Sequence, residues 1–284
     1  MPSLALLSQA ILSGVFVGAL YGLLGLGLGL SWGLLRLINL AHFAFAFLAA
    51  YLCYQLVTAL GMDPLATLVV VVPAFFALGA ALHAVMARFA LTPFNSLLLT
   101  FGLTGIVEAL IQWVWTADFR RMESHYGQAK FRLGELFVPV PELITLVLSV
   151  GLSLLVWAVL RHTDVGKALR AAAEDGPIAA AFGVNRRLHA VLLAGTCAAL
   201  AAVAGVCLAL TATLAPSQIY AWVGVVFAAV MLGGLGRALG PLLAGTLIGV
   251  SEAVTMAVTA PSWAPIVSFS LLILVLVLRP GRVG

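Results

Sequence analysis

The chain has 284 residues, of which 63% are hydrophobic and 8% are charged, and its formal net charge is +4 at pH 7. A soluble globular domain carries about a quarter charged residues, so this composition excludes an ordinary soluble protein. The mean hydropathy of +1.18 and the repeated apolar runs indicate a polytopic α-helical membrane protein. The small positive charge is typical of membrane topology signals rather than of nucleic-acid binding.

Nine apolar segments follow one another along the chain. The first begins near Leu7 with no basic residue before it and no small-x-small cleavage site after it, and it runs to about Gly33. We therefore expect a retained helix rather than a signal peptide. Segments between 218 and 258 are short and interrupted by glycine, so re-entrant segments are the alternative to full crossings there. The predicted segments are 8–33, 39–60, 65–87, 94–116, 142–161, 188–210, 218–235, 239–258 and 264–278.

This pattern predicts an all-α polytopic membrane protein with about eight to ten transmembrane or re-entrant helices. No separate soluble domain fits in the chain, so we expect a single transmembrane domain over residues 1–284.

Two groups of glycines lie in the first segment. Gly14, Gly18 and Gly22 have the four-residue spacing that lets two membrane helices approach closely. The denser run GLLGLGLGL (residues 22–30) lacks the lysine and hydroxyl residue of a nucleotide-binding loop. We interpret it as a packing surface, with a bent or opened helix along a transport pathway as the alternative.

Glu108 and Glu252 are the two acidic residues that we place inside membrane helices. At a bilayer centre each would cost ~2.5–3.5 kcal/mol, so each is expected to face protein or water. We interpret both as hydrogen-bonded structural residues. A role in the transport pathway and a role in proton coupling are the alternatives.

Other chemistry-bearing residues give no pattern of a catalytic or metal site. His42, beside Asn39, is interpreted as an inter-helix hydrogen-bonding group, because no second histidine lies at metal-ligand spacing. Cys53, Cys197 and Cys207 lie in apolar runs without disulfide or metal spacing. No motif of an intramembrane enzyme is present. We therefore expect no metal, no cofactor and no catalytic residue in this chain.

Two longer polar stretches, 117–141 and 162–187, are called here the external loop and the island. Placing the island in the cytoplasm puts ten basic residues inside and four outside, as the positive-inside rule requires. With nine crossings, the N-terminus then lies outside and the C-terminus inside. The ten internal residues are Arg36, Arg88, Arg161, Lys167, Arg170, Arg186, Arg187, Arg237, Arg279 and Arg282. The external loop carries Arg120, Arg121, Lys130 and Arg132, balanced by Asp118, Glu123 and Glu135 in the loop and by Glu142 directly after it.

The sequence RAAAEDGPIAAAFGVNRR (residues 170–187) predicts a short helix with a defined beginning and end. Asp175 or Gly176 can cap its start, and Pro177 suits the first helical turn, where a missing N–H costs nothing. Gly183 supplies the left-handed residue that ends many helices.

This short helix has one apolar face, formed by Ile178, Ala181 and Phe182. A helix of two turns is not stable alone in water and needs a docking surface. That surface is either the chain's own helix ends or, in the case of a coupling helix, a groove on a cytoplasmic partner.

The run HTDVGKALRAAAEDGPIAAAFGVN resembles the T-x-x-G-x-A-x-R-A…A-x-x-x-G-(I/V)-N signature of permeases in branched-chain amino acid ABC importers. By length the chain is closer to the LivH-like permeases of that family. Three further blocks resemble the family's N-terminal, central and C-terminal blocks, in the same order. They are YGLLGLGLGLSWGLLRLINLAHFAF, LLLTFGLTGIVEAL and FAAVMLGGLGRALGPLLAGTLIGVSEA.

The resemblance implies a permease subunit of the bacterial inner membrane that works by alternating access. It also implies a second permease subunit, favoured as a relative rather than an identical copy, two cytoplasmic ATPase subunits and a periplasmic substrate-binding protein. ATP and Mg²⁺ belong on the ATPases, and no nucleic acid is involved. The implied ATPase-coupling residues are Arg170, Glu174, Asp175, Ile178, Phe182, Gly183 and Asn185. The implied substrate-pathway residues are Asn39, His42, Thr100, Glu108, Gly233 and Gly234.

The chain departs from the family after Asn39, Ala41 and His42. The family commonly continues with glycine and an acidic residue, whereas this chain has FAF (residues 43–45). Urea or short-chain amides are therefore the alternative to branched-chain or related amino acids as the solute. An ion-coupled secondary carrier is the alternative mechanism. Pro177 is also unusual within the family's coupling helix.

Overall fold

The computed structural model describes residues 4–89, 92–134 and 136–278 of the chain. Within these ranges there are twelve α-helices and one two-stranded antiparallel hairpin. The helices are α1 (Leu4–Leu35), α2 (Ala41–Leu60), α3 (Leu68–Arg88), α4 (Pro93–Trp115), α5 (His125–Gln128), α6 (Val140–His162), α7 (Asp164–Glu174), α8 (Gly176–Ala181), α9 (Arg186–Thr211), α10 (Ala221–Gly233), α11 (Gly240–Val258) and α12 (Ala264–Leu278). The strands are β1 (Lys130–Leu133) and β2 (Leu136–Pro139).

The predicted apolar segments correspond to α1–α4, α6 and α9–α12. Eight helices in the described ranges have the length and hydropathy needed to span a membrane, and α10 is counted together with the preceding 3₁₀ turn, Pro216–Tyr220. Of the helices that correspond to predicted apolar segments, α12 is the one not among these eight; it is also apolar and has 15 described residues. The prediction of an all-α polytopic membrane fold is confirmed.

Local sequence sets the helix ends near their predicted positions. Gly61, with a φ of 62°, adopts the left-handed conformation after α2, and its N–H donates to the Val57 carbonyl at 3.1 Å. This is the usual way in which glycine ends a helix. The Thr92 hydroxyl accepts a hydrogen bond from the N–H of Asn95 at 3.2 Å and so caps the start of α4.

α1 and α11 pack with their backbones in direct contact along a line of glycines. A Cβ atom at Gly14, Gly18 or Gly22 would collide with the α11 backbone, and one at Gly245 or Gly249 would collide with α1. The contacts run in opposite order along the two helices, so the pair is antiparallel. We call this contact the glycine seam. It confirms the predicted close approach of a neighbouring helix at these α1 glycines.

The denser glycine run of α1 also packs against its neighbours. α1 remains helical through this run, which favours the packing interpretation over an opened helix. Gly27 leaves room for the ring of His42, and the Gly29 carbonyl accepts a hydrogen bond from the N–H of Gly236 at 3.1 Å. Gly33 lies directly against Gly236. The turn between α10 and α11 is therefore fixed to the end of α1.

α9 is the central helix of the bundle. It packs against α1, α2 and α3, and residues 200–210 are all buried. Gly205 lies directly on the α2 backbone at Ala46, and Gly79 of α3 lies on α9 at Ala194. Because these contacts involve backbone atoms, a displacement of α9 cannot occur without moving its neighbours.

The external loop is more regular than the sequence indicates, since it contains α5 and the β1–β2 hairpin. Arg120 and Leu214 exchange two backbone hydrogen bonds, and the Tyr126 hydroxyl donates to Asp63 at 2.9 Å. Burial raises the pKa of Asp63, but hydrogen bonds from Tyr126 and from two backbone N–H groups outweigh it and leave the pKa below its usual value. Glu135 lies outside the described residues, as do Arg279 and Arg282.

We expect Gly18→Ala to destabilise the protein. A Cβ atom there would lie 2.5 Å from the Gly245 carbonyl oxygen, and overpacking of this kind costs about 1–3 kcal/mol. Gly151→Ala in α6 is the matched control, since no heavy atom surrounds its Cβ position and alanine favours a helix by about 1 kcal/mol over glycine. Thermal unfolding in one detergent measures both variants. An unchanged midpoint for Gly18→Ala would contradict the glycine seam.

Candidate functional site

The island folds into two helices, α7 and α8, rather than the single short helix predicted from the sequence. The Thr163 hydroxyl accepts a hydrogen bond from the N–H of Gly166 at 3.1 Å and caps the start of α7. Gly166 lies directly on the last turn of α6, where a side chain would collide with the Leu160 backbone. Lys167 donates to Asp164 at 2.9 Å, and this hydrogen bond lowers the pKa of the exposed Asp164 carboxyl. The threonine and glycine of the signature therefore turn the chain sharply out of α6.

The predicted caps of α8 are confirmed. The Asp175 side chain accepts a hydrogen bond from the N–H of Ile178 at 3.0 Å. After the last turn, Gly183 has a φ of 87°, and the N–H groups of Gly183 and Val184 donate to the carbonyls of Ala180 and Ala179 at 2.9 and 3.1 Å. This double hydrogen bond around a left-handed glycine is the Schellman motif. Both ends of a helix of 6 residues are thus fixed by local hydrogen bonds.

α8 presents an exposed apolar face. Phe182 is 86% exposed and Ile178 is 57% exposed, whereas Ala179 is buried against the chain. Exposed aromatic and branched side chains on a capped, solvated helix are the anchors typical of a protein interface. The chain's own helix ends do not cover this face, so the docking surface that the short helix needs is not supplied by the described residues.

The island is tied to the ends of three spanning helices: to α6 through Gly166, as described above, and to α1 and α9. Arg36 lies between α1 and α2 with a left-handed φ of 56°, and its guanidinium donates to the Ala173 carbonyl of α7 at 2.9 Å. Arg186 packs its guanidinium against Gly176. Asn185 caps α9, because its side chain accepts from the N–H of Leu188 at 3.1 Å. These contacts connect α7 to the end of α1 and α8 to the start of α9.

The predicted coupling residues fall into two groups. Asp175, Gly183 and Asn185 are engaged in caps, so their structural effect is to shape the loop. The other four side chains are exposed and available to a partner: Arg170, Glu174, Ile178 and Phe182.

Three predicted pathway residues lie together at the break between α1 and α2. The Thr100 hydroxyl accepts from the N–H of Leu40 at 3.1 Å and donates to the Ser96 carbonyl at 2.8 Å, so it holds the break against α4. Asn39 has a buried Oδ1 atom without a hydrogen-bond partner among the described residues. His42 is 2% exposed, and its Nε2 donates to the Leu24 carbonyl at 2.9 Å. This is the inter-helix hydrogen bond predicted for His42.

The other predicted pathway residues lie elsewhere. Gly233 ends α10 in close contact with Gly240, and Gly234 has a left-handed φ of 89°, so both shape the turn before α11. Glu108 on α4 accepts a hydrogen bond from the side chain of Gln112 at 3.2 Å, and the hydroxyl of Tyr220 lies near its carboxylate. The six predicted residues do not form one site within this chain.

Glu252 connects three helices. It is 8% exposed, and its carboxylate accepts hydrogen bonds from the hydroxyl of Tyr21 on α1 at 2.9 Å and from the hydroxyl of Ser268 on α12. Each carboxylate oxygen therefore has a donor from a different helix. This arrangement favours the structural interpretation, since a buried carboxylate is tolerated where its oxygens are satisfied.

A cavity of about 390 Å³ that the sequence analysis missed lies beside this cluster. It opens between α1, α10 and the non-helical segment before the 3₁₀ turn, and its lining carries no charged side chain. The cavity is lined by Tyr21, Ala212, Thr213, Gln218, Ala221, Trp222 and Val225. The rings of Tyr21 and Trp222 pack edge to face with centroids 5.8 Å apart. The one sequence signal for this site is the run TATLAPSQ (residues 211–218), which separates the predicted apolar segments 188–210 and 218–235.

The spanning helices define a polytopic α-helical membrane protein, and the short helix α8 exposes an apolar face at one end of it. A family model described as "Branched-chain amino acid transport system / permease component" matches residues 10–276. The chain belongs to this permease family.

Relatives of the chain carry the same description. It is 28% identical to the high-affinity branched-chain amino acid transport system permease protein LivH of Salmonella typhimurium, over 96% of this chain and 93% of the relative. The chain is 27% identical to LivH of Escherichia coli, again over 96% of this chain and 93% of the relative. For BraD of Pseudomonas aeruginosa it is 28%, over 99% of this chain and 96% of the relative. No solved structure matches the chain significantly.

We expect Glu252→Leu to destabilise the protein and Glu252→Gln to be mild. Leucine leaves the hydroxyls of Tyr21 and Ser268 without their acceptor, at a cost of about 1–3 kcal/mol for an unsatisfied buried group. Glutamine keeps an acceptor oxygen, and inter-helix hydrogen bonds in membranes contribute about 0.6 kcal/mol on average. Thermal unfolding measures both variants. Loss of transport in a stably folded Glu252→Gln variant would show that the carboxylate has more than a structural role.

Proposed function

We propose that this chain is one permease subunit of an ATP-driven importer of the bacterial inner membrane, which carries branched-chain or related amino acids by alternating access. The observation that carries the proposal is the capped helix α8, whose exposed Ile178 and Phe182 form an apolar face suited to a groove on an ATPase. The solute class is taken from the relatives, which are named as permease proteins of branched-chain amino acid transport systems.

The chain requires partners under this proposal. Two cytoplasmic ATPase subunits bind ATP and Mg²⁺ and dock on the islands of two permease subunits. The second permease completes the pathway, and a periplasmic binding protein delivers the solute to the external face. Nucleotide-driven movement of α8 reaches α9 through the Asn185 cap, and it reaches α1 through α7 and the hydrogen bond of Arg36 to Ala173. Because α9 contacts α1, α2 and α3 through backbone atoms, the bundle responds as a unit that switches between two arrangements.

The cavity beside Tyr21 is the part of the pathway that this chain contributes. Its volume of about 390 Å³ accommodates a small solute, and Thr213, Gln218 and the aromatic pair give a neutral polar and aromatic surface. Branched-chain side chains fit such a surface, since ligand sites combine apolar walls with a few polar groups. The uncharged lining also supports urea or short-chain amides as the alternative solute. Competition of labelled leucine uptake by excess acetamide or urea distinguishes the two.

We expect Phe182→Ala to weaken assembly with the ATPase at least tenfold. Truncation of an aromatic hot spot at an interface costs about 2 kcal/mol or more, which exceeds the 1.4 kcal/mol of a tenfold change. Phe119→Ala is the matched control, because Phe119 is also exposed, at 73%, but lies in the external loop. Co-purification with the ATPase at graded concentrations measures both variants. Equal binding by Phe182→Ala and the wild type would contradict the docking face.

We expect Gly183→Val to uncouple ATP hydrolysis from transport. A β-branched residue resists the left-handed φ of 87° at this position, so the α8 cap is lost while the spanning helices remain. Gly183→Asn is the control, since asparagine tolerates this conformation better. The ratio of solute transported to ATP hydrolysed is the measurement. A normal ratio in the valine variant would mean that the cap has no part in coupling.

Cysteine labelling tests the proposed orientation. The natural cysteines are all buried. They should therefore react little with a thiol reagent, so that the labelling of an introduced exposed cysteine can be measured. We expect Ala180→Cys to react with a membrane-impermeant maleimide only after the inner membrane is opened. Phe131→Cys, in the external hairpin, should react from the periplasm. Reaction of the cysteine at position 180 from the periplasmic side would invert the topology and remove the basis for ATPase docking.

A further inference from the structure

A groove at the island end of the bundle combines an apolar wall with three arginines. It has a volume of about 660 Å³ and lies between the end of α6, α7 and the turn from α10 to α11. Arg161, Arg170 and Arg237 come from these three different elements and reach the same groove. No aspartate or glutamate is among its lining residues.

The three arginines have no carboxylate partner in the described part of the chain, where the ion pairs are His125–Asp63 and Lys167–Asp164. All three side chains are exposed. Arg161 stacks its guanidinium over the ring of Trp157 at 5.3 Å. This orients the guanidinium but leaves its in-plane N–H groups available. A guanidinium with free N–H groups matches the geometry of a phosphate in particular.

The wall of the groove lies on a membrane-spanning helix. Leu243 and Leu247 are one helical turn apart on α11 and are 70% and 55% exposed, with Leu232 and Ala244 beside them. The arginines lie at the end of this wall, where α6 ends and α11 begins. An exposed apolar surface on a candidate membrane-spanning helix that ends in a cationic cluster matches the shape of an acyl chain below a charged headgroup.

We infer that this groove is a binding site for an anionic phospholipid of the leaflet on the island side. The phosphate contacts Arg161, Arg170 and Arg237, and one acyl chain lies along the α11 wall. Basic pockets between transmembrane helices are typical sites for anionic headgroups. The inference depends on the membrane spans of the chain and not on the proposed solute.

The occupied site would join the island to the transmembrane core. Arg170 belongs to α7, whereas Arg237 belongs to the turn that packs against the end of α1 through Gly236. A phosphate shared between them links these elements without any direct contact between the two side chains. The lipid therefore stabilises the position from which α8 is presented.

Phosphatidylglycerol binding to the purified full chain tests the inference. Native mass spectrometry in a neutral detergent measures the bound lipid over a concentration series. We expect saturable binding of phosphatidylglycerol and weak, non-saturable binding of phosphatidylcholine. Each arginine near a membrane surface contributes an affinity factor of about fivefold. We therefore expect the double variant Arg161→Gln/Arg237→Gln to bind phosphatidylglycerol about 25-fold more weakly.

Arg88→Gln is the matched control, because Arg88 is an exposed arginine at the end of α3 that does not line the groove. It should bind phosphatidylglycerol like the wild type. Glycerol phosphate separates a lipid site from a free-phosphate site, since it has the phosphate but no acyl chain and should not compete.

Three results would overturn the inference: equal affinity of the double variant and the wild type, equal binding of phosphatidylcholine, or full competition by glycerol phosphate. Full competition by glycerol phosphate would mean that the arginines bind a soluble phosphate. Equal affinity of the double variant would mean that the arginines do not bind the lipid, and the groove would then be a candidate contact for a protein partner. If the double variant does not fold, the comparison of lipids on the wild-type chain still decides between these outcomes.

Discussion

The glycine seam between α1 and α11 is the constraint on which the rest of the structure depends. Because neither helix carries a side chain at Gly14, Gly18, Gly245 or Gly249, their backbones touch, and van der Waals packing replaces the hydrophobic effect that is absent between helices in lipid. The seam brings Glu252 within reach of the Tyr21 hydroxyl. It also sets the turn between α10 and α11 against the end of α1. The cavity beside Tyr21 is bordered by α1, and the arginine groove is bordered by α11.

A second set of contacts gives the island a defined conformation of two capped helices. Caps at Thr163, Asp175 and Asn185 and the glycine turn at Gly183 fix each change of chain direction with local hydrogen bonds. Isolated helices of this length are unstable in water. Here the caps hold α8 in place, Arg36 anchors the preceding helix α7, and the apolar face of α8 stays exposed. The hydroxyl, glycine and asparagine positions of the family signature are thus explained as caps, a left-handed turn and a close contact.

The sequence predicts features that depend on neighbouring residues, and it does not predict contacts between segments that are far apart along the chain. The apolar segments, the caps of α8 and the glycine spacing of α1 are local patterns, and all appear in the structure. The donors to Glu252 lie 231 and 16 positions away along the chain, so no local pattern indicates them. The cavity is missed for the same reason, because Tyr21 and Trp222 meet only through the packing of α1 and α10. The separate helix α7 is also missed, since its amphipathic run was treated as part of one polar connection.

Reconstitution tests most directly whether this chain transports only as part of an ATP-driven complex. Uptake of labelled leucine is measured in proteoliposomes that contain the chain alone or together with its companion permease, ATPases and binding protein. We expect accumulation only in the complete system, with a requirement for internal ATP and no effect of a proton uncoupler. Accumulation by the chain alone, driven by a pH gradient and abolished by the uncoupler, would contradict this dependence on partners.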